Sequence, residues 1–212
     1  MEPRIQTVLV LGATGRVGSI IVDMLAHKNY EVRAFVHGEP RERIERVTYL
    51  RGDVADSASL ERALEDVDVV VSALGSWGTK DKNTLTVAMR NIIPLLEQKG
   101  IKRIVSLTGA DASAPGQELS LFQKASHLLF SMIASKILKD GEQHITILSE
   151  SALDWTAVRS PVMNEKGSYE YALSEKYPMP WHTIRRGAVA RSMVHLIESG
   201  DFVRQAPYLS RQ

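Results

Sequence analysis

Short runs of β-branched and aliphatic residues alternate along the chain with longer stretches whose apolar positions recur every three or four residues. Strand followed by helix, repeated from the N-terminus onward, predicts a parallel sheet with crossover helices on its faces. Residues 7–11 read as the first strand. Residues 16–27 read as a helix that gathers Val17, Ile20, Ile21, Met24 and Leu25 on one side and stops at Asn29. Residues 31–37 give a second strand and Tyr49-Leu50 a short third, after which Asp56 or Ser57 caps a helix running through Leu60 and Leu64. Residues 67–73 are nearly continuous in apolar side chains (Val67, Val69, Val70, Val71), as burial on both faces requires of a central parallel strand.

The next helix is expected over 83–98, with Pro94 kinking or breaking it and Gly100 ending it. A fifth strand over 103–107 leads into a small-residue loop at 111–116. Helical pattern fills most of 119–151, and Gly141 is the expected interruption between two helices. A sixth strand over 155–159 meets Ser160-Pro161. Residues 160–186 are the least regular, with Gly167, Pro178 and Pro180, and the alternation of Tyr169, Tyr171 and Leu173 suits a small hairpin. Residues 187–199 close as a helix. No repeat, low-complexity tract or linker divides the chain, so one α/β domain is expected over 1–212, with 160–186 as a substrate-side excursion.

Composition sets limits on this picture. With 212 residues and 44% hydrophobic content the chain can bury a core of single-domain size. Its 26 basic and 25 acidic residues leave a formal charge of +1, so no bulk field draws it to nucleic acid or to an anionic membrane, and any anion site must be local. Cysteine is absent, which removes disulfides, thiolate nucleophiles and cysteine-ligated metals. The apolar run at 8–11 is shorter than the roughly 7–15 residues of a secretory signal. Residues 119–138 come closest to a membrane span, but Gln123, Lys124, Ser126, His127, Ser131, Ser135 and Lys136 interrupt them. A cytoplasmic location with no membrane partner is the resulting expectation.

The candidate chemistry begins between the first strand and first helix, at Gly12-Ala13-Thr14-Gly15-Arg16-Val17-Gly18. A pyrophosphate needs bare backbone N–H groups at a helix N-terminus, and glycine clears the approach. The spacing differs by one residue from G-x-G-x-x-G, yet it stands where a dinucleotide fingerprint must stand, and it makes the expected fold a Rossmann-type, doubly wound, mainly parallel sheet. Alternatively the glycines serve only tight helix–sheet packing. At the end of the second strand an acid would hold the ribose hydroxyls of NAD and repel the 2′-phosphate of NADP. That position is His37, 19 residues after Gly18, with Arg33 before it and Arg41 and Arg43 after it, which favours NADP over NAD. These arginines could equally form a solvated face, and Glu39 could serve as a ribose acceptor.

Val10 to Gly18, Arg51-Gly52-Asp53-Val54 and Val71-Ser72-Ala73-Leu74-Gly75 resemble the atypical short-chain dehydrogenase/reductase superfamily. Within it the chain is most similar to the small NAD(P)H-binding group that includes biliverdin-IXβ/flavin reductase and NmrA-like redox sensors. The likeness extends through Asp154-Trp155-Thr156-Ala157-Val158-Arg159-Ser160-Pro161 and Arg186-Gly187-Ala188-Val189-Ala190. It implies that Asp53 and Val54 meet the adenine, that Ala73, Leu74 and Gly75 line the adenosine and nicotinamide side, that the superfamily's serine after the fifth strand falls near Ser106-Leu107-Thr108, with Leu107 in place of one usual hydroxyl and Ser106 on the cofactor side, and that Pro161 and Val162 lie against the nicotinamide. Each also has a plain structural use, as turn, cap or strand end.

The catalytic pattern of the superfamily does not carry over. A Tyr-x-x-x-Lys pair lets lysine lower the phenol's pKa for proton donation, and no tyrosine here has lysine four residues later. Thr108 is the best remaining donor, or else a cap. Lys139 falls roughly where the family's lysine would, and Asp140 and His144 share a helical face four apart, either as an oriented acid–base pair or as a surface contact. His127, His182 and His195 show no ligand spacing, so no metal is expected. The leading expectation is an NADPH-dependent reductase of a planar conjugated small-molecule acceptor of flavin, tetrapyrrole or quinone type. Trp77, Tyr169, Tyr171, Tyr177 and Trp181 would then serve as stacking walls or as loop anchors. The alternative is a non-catalytic NADP sensor acting through a protein partner. A sugar-nucleotide epimerase or dehydratase is less favoured, because such enzymes keep the Tyr/Lys pair and carry a larger C-terminal domain.

Overall fold

The computed structural model describes residues 6–39, 43–179 and 181–212, so Arg41 and Pro180 lie outside the described residues. The elements run β1 (Thr7–Leu11), α1 (Gly18–His27), β2 (Glu31–Val36), β3 (Val47–Arg51), α2 (Ser57–Ala63), β4 (Val69–Ser72), α3 (Thr84–Lys99) and β5 (Arg103–Gly109). They continue with α4 (Leu121–Glu150), β6 (Asp154–Ser160), β7 (Val162–Asn164), β8 (Ala172–Ser174), β9 (Thr183–Arg185), α5 (Arg186–Ser199) and β10 (Tyr208–Ser210).

An eight-stranded sheet in the order β3-β2-β1-β4-β5-β6-β10-β8 carries the fold. Its strands are parallel from β3 to β10, and only β8, on the edge, runs antiparallel. The chain winds outward from β1 to β3, then returns to lay β4 on the other side of β1. The strand order therefore reverses between β1 and β4, and a crevice opens at their C-terminal ends. This is a doubly wound Rossmann-type architecture.

Strand periodicity sorts the core into two layers. Val8 and Val10 face α1 and α5, where Ile21, Leu25, Val189 and Met193 are buried. Leu9 and Leu11 face α2, α3 and α4, where Leu60, Met89, Ile92 and Leu148 are buried. Every residue of β1 and β4 is buried, which is why both are apolar almost without interruption.

Several sequence expectations need correction. Arg16 and Val17 belong to a turn, and the first helix starts at Gly18; Asn29 ends it with φ 65°. Pro94 does not break α3, which runs on to Lys99, and its position is exposed, so the carbonyl left without a partner by the missing N–H can meet solvent. The long helical stretch is interrupted at Ala134 (φ −141°, ψ 44°), not at Gly141. Gly141 is a packing residue: a Cβ there would lie 2.7 Å from Thr108 Oγ1 and 3.0 Å from Ala112 Cβ. The hairpin expected around Tyr169, Tyr171 and Leu173 does not form. β8 instead pairs with β10, a strand the sequence pattern did not disclose, and β7 pairs in parallel with β9.

Candidate dinucleotide crevice

The glycine turn is shaped by two close approaches. Gly12 has φ +73°, and a Cβ on it would sit 3.0 Å from the carbonyl carbon and oxygen of Ala73, so the ends of β1 and β4 nearly touch. A Cβ on Gly18 would lie 2.0 Å from Gly12 O, which presses the start of α1 against the turn. Gly15 N donates to Gly12 O at 2.9 Å, closing the loop, and Ser19 N donates to Gly15 O. Ala13 and Val17 are buried and hold the turn down, while Thr14, Gly15 and Arg16 face solvent. Val17 caps α1 without a side-chain hydrogen bond, and the first turn of that helix carries no acid. No carboxylate therefore opposes an anion at this helix end, and the cradle suits a pyrophosphate in shape and in charge.

On the adenosine side, alternation in β2 decides which basic group is available. Val32, Ala34 and Val36 face α1, which turns Arg33 to the other layer. There its guanidinium donates to the carbonyls of Glu65 and Arg62 at the end of α2. Arg33, expected on the cofactor side, is engaged here as a helix-end partner. His37 is exposed at the strand end, with Nδ1 3.6 Å from Asp53 Oδ2. Asp53 Oδ1 also accepts from Ala55 N at 2.8 Å, and the Val54 carbonyl accepts from Asn91 Nδ2 at 2.8 Å, so both serve turn structure at the crevice rim. Glu39 is 3.6 Å from Arg43, whose guanidinium lies 5.6 Å from the Tyr49 ring centre.

On the opposite side, half-buried Ala73 and Leu74 and exposed Gly75 follow β4, and a Cβ on Gly75 would meet nothing within 4 Å. Buried Pro161 and exposed Val162 follow β6. Between them, on the face covered by α4, Ser72 pairs in register with Ser106, and Thr108 lies two residues further along β5. Ser106 and His144 are fully buried, with Oγ 2.5 Å from Nε2. Burial pushes the His144 imidazole down to about 4, with Asp140 opposing, so the ring is neutral at pH 7. Ser72 Oγ, Thr108 Oγ1 and His144 Nδ1 are buried without hydrogen-bond partners among the described residues. Ser72 Oγ and Thr108 Oγ1, from the C-terminal ends of β4 and β5, and His144 Nδ1, from α4, are thus sealed from solvent and form a closed polar floor beneath the crevice, not an exposed donor set.

The expected Asp140–His144 pair is not a unit. Asp140 is buried and accepts from Ser76 Oγ, Leu85 N (3.1 Å) and Thr86 N (2.8 Å), capping α3 from another helix. Lys139 does not join the buried cluster: it is exposed and lines a cleft of about 430 Å³ with Lys80, Asp81, Lys82 and Lys136. The Ser72–Ser106–His144 arrangement was missed as a unit, since only the pairing of β4 with β5 assembles it. Tyr169, Tyr171 and Tyr177 act as loop anchors. Tyr169 packs on Gly187 beneath Arg185, Tyr171 lies against His195, and Tyr177 donates to Asp111 at 2.7 Å. Trp77 and Trp181 are exposed. Among the described residues no group of three or more His, Cys, Asp or Glu could hold a metal ion, and no helix is long and apolar enough to cross a membrane.

A reversed strand order, a glycine cradle at the reversal and a helix N-terminus free of acids define a dinucleotide-binding Rossmann protein. A family model described as NAD(P)H-binding matches residues 12–200, and the chain belongs to that family. It is 31% identical over 94 residues to an isoflavone reductase homolog (P3) of Arabidopsis thaliana, a match covering 39% of this chain and 30% of that protein. The chain thus aligns with about a third of the length of that curated relative. Among solved structures, a putative NADH-flavin reductase from Streptococcus pneumoniae superposes with TM-score 0.77 at 19% identity, covering 99% of this chain and all of the other. The anaerobillin reductase ChuY from Escherichia coli O157:H7 superposes with TM-score 0.73 at 19% identity, covering 97% of each chain. At that identity the likeness is one of fold.

Proposed function

We propose that the protein is an NADPH-dependent reductase of a planar conjugated acceptor of flavin, tetrapyrrole or quinone type. The observation that carries the reading is the burial of the polar floor: Ser106, Thr108 and His144 are inaccessible, and no Tyr-x-x-x-Lys phenol stands over the crevice. Such a site is suited to holding and shielding reactants, not to protonating a carbonyl. A bound nicotinamide supplies hydride, and a conjugated acceptor takes its proton from water. The glycine turn and the first turn of α1 would hold the pyrophosphate. Arg16 and Arg43 offer positive charge and His37 a ring nitrogen near the 2′-phosphate, while the acids at that end, Glu39 and Asp53, lie 3.6 Å from Arg43 and His37 respectively. Gly75, Trp77, Pro161 and Val162 would form the acceptor walls. The flavin and anaerobillin acceptors in the names of the structural neighbours agree with this class.

The absence of an accessible proton donor equally favours a non-catalytic NADP sensor, and one experiment separates the two. Cofactor affinity is measured by calorimetry, and steady-state NADPH oxidation is followed with FMN, dichlorophenolindophenol and small quinones. Turnover with at least one acceptor, together with NADP bound more tightly than NAD, is the expected result. Tight cofactor binding with no oxidation above buffer overturns the reductase reading in favour of the sensor, and preference for NAD overturns the NADP assignment.

A further inference from the structure

The first half of α4 is built inside out. Three of its polar side chains point at the protein. Gln123 donates to the Tyr208 hydroxyl at 3.3 Å, Ser126 donates to Asp111 Oδ1 at 2.8 Å, and His127 Nε2 lies 2.8 Å from Glu142 Oε1. Its large apolar side chains point outward: Leu121, Leu128, Leu129, Met132 and Ile133 are between 57% and 86% exposed. A surface helix ordinarily turns these faces the other way. The inversion ends at the non-helical Ala134, beyond which Leu138, Ile145 and Leu148 are buried in the usual manner.

Two exposed tryptophans extend the apolar strip. Trp77, 64% exposed, packs edge-on against Phe130 at 6.0 Å, and Trp181, 67% exposed, packs against Phe122 at 6.4 Å. The charge within the half-helix has one sign. Residues 120–139 contain no Asp or Glu but carry Lys124, Lys136 and Lys139. Lys80 and Lys82 line the same cleft as Lys136 and Lys139; the acids there are Asp81 and Asp140, and Asp140 is buried as the cap of α3.

We infer that this half-helix docks on an anionic lipid bilayer surface. An outward row of Leu, Met and Ile with tryptophan at its sides and lysine at its rim is the composition of an interfacial helix: the apolar row enters the acyl boundary, the indoles sit at headgroup level, and the ammonium groups meet lipid phosphates. Charge argues against a second copy of the chain, because a two-fold contact through this half-helix would bring its lysines toward those of the other copy, and residues 120–139 hold no acid to pair them. The net charge of +1 gives no hint of the surface, since the attraction is confined to one side of one helix. Of the seven polar residues that interrupt the stretch 119–138, Gln123, Ser126 and His127 are turned inward, and Lys124 and Lys136 belong to the basic rim.

The test is flotation of the full chain with phosphatidylcholine vesicles and with phosphatidylcholine–phosphatidylserine vesicles at low salt. Binding to the mixed vesicles should exceed binding to the neutral ones by about tenfold or more and weaken as salt is added. Tryptophan emission should shift to the blue on binding, and the shift should vanish in the Trp77→Phe/Trp181→Phe variant, since the remaining Trp155 is already buried. Leu128→Glu/Met132→Glu, at two exposed positions, should lower binding by about tenfold or more with melting temperature and dinucleotide affinity unchanged. No flotation with the mixed vesicles, equal flotation with both, or binding indifferent to the double substitution overturns the inference. A concentration-dependent dimer dissolved by the same substitutions, without lipid binding, overturns it and assigns the face to a second copy.

Discussion

His144 is held in the fold with no solvent exposure, one ring nitrogen on Ser106 and the other without a partner among the described residues. Burial lowers its pKa from 6.5 to about 4, so the folded state binds fewer protons than the unfolded chain between those values. Stability from the neutral ring is fully present above about pH 6.5 and is lost as pH falls toward about 4 and through it, a change on the order of 3 kcal/mol. Replacing His144 with Gln, whose amide can still meet Ser106, removes this dependence. Urea unfolding at pH 7 and at pH 4.5 should therefore show a smaller loss for the variant than for the unmodified protein. Equal losses would mean that the ring does not titrate as its burial demands. Arg33 shows a limit of reading at this scale. Its charge and its place before His37 were legible, but the alternation that turns it beneath α2 matters only once that helix end is present to receive it.

Helix α3 starts on a donor set that its own sequence does not satisfy. Asn83 makes no side-chain cap, and Asp140 of α4 accepts the N–H groups of Leu85 and Thr86 instead. The carboxylate also holds Ser76, so it ties the segment after β4 to two helices. Asp140→Ala should cost about 2–4 kcal/mol, because buried donors are left unpaired, and Asp140→Asn less, because an amide oxygen still accepts. Denaturant unfolding measures the loss, and faster amide exchange at Leu85 and Thr86 should accompany it. A cap supplied across helices leaves no local signature, which is why the sequence suggested an Asp140–His144 pair. The central strands were legible because burial on both faces imposes an apolar run, and α1 because its apolar stripe and the αL Asn29 are local. Glycine was ambiguous. At 141 it looked like a helix break, but the neighbour that explains it, Thr108, lies on a strand formed earlier in the chain. β10 escaped notice because three residues at a sheet edge carry no periodicity.

For the molecule as a whole, the crevice joins two halves of one sheet, so a ligand bound there adds to the stability of the entire fold. At about 100 times its dissociation constant, NADP should stabilise the protein by about 2.7 kcal/mol and raise the melting temperature by roughly 5–10 °C. Gly15→Asp should abolish that rise and leave the unliganded melting temperature within a few degrees. Its side chain would project from an exposed position, meeting only Gly12 O at 3.0 Å, yet its charge would occupy the pyrophosphate cradle. A rise that survives the substitution would place the nucleotide elsewhere. The glycine turn was the most legible part of the site because its determinants are contiguous. The polar floor was the least legible, since β4, β5 and α4 each contribute a fragment with no meaning alone.

The 2.0 Å gap between a would-be Cβ on Gly18 and the oxygen of Gly12 also divides the loop into two kinds of position. Substituting Gly12 or Gly18 rewrites the scaffold, so losses there report on folding and say little about ligand choice. Engineers wishing to tune the grip on the diphosphate have their latitude at Thr14 and Arg16, which are exposed in the same turn.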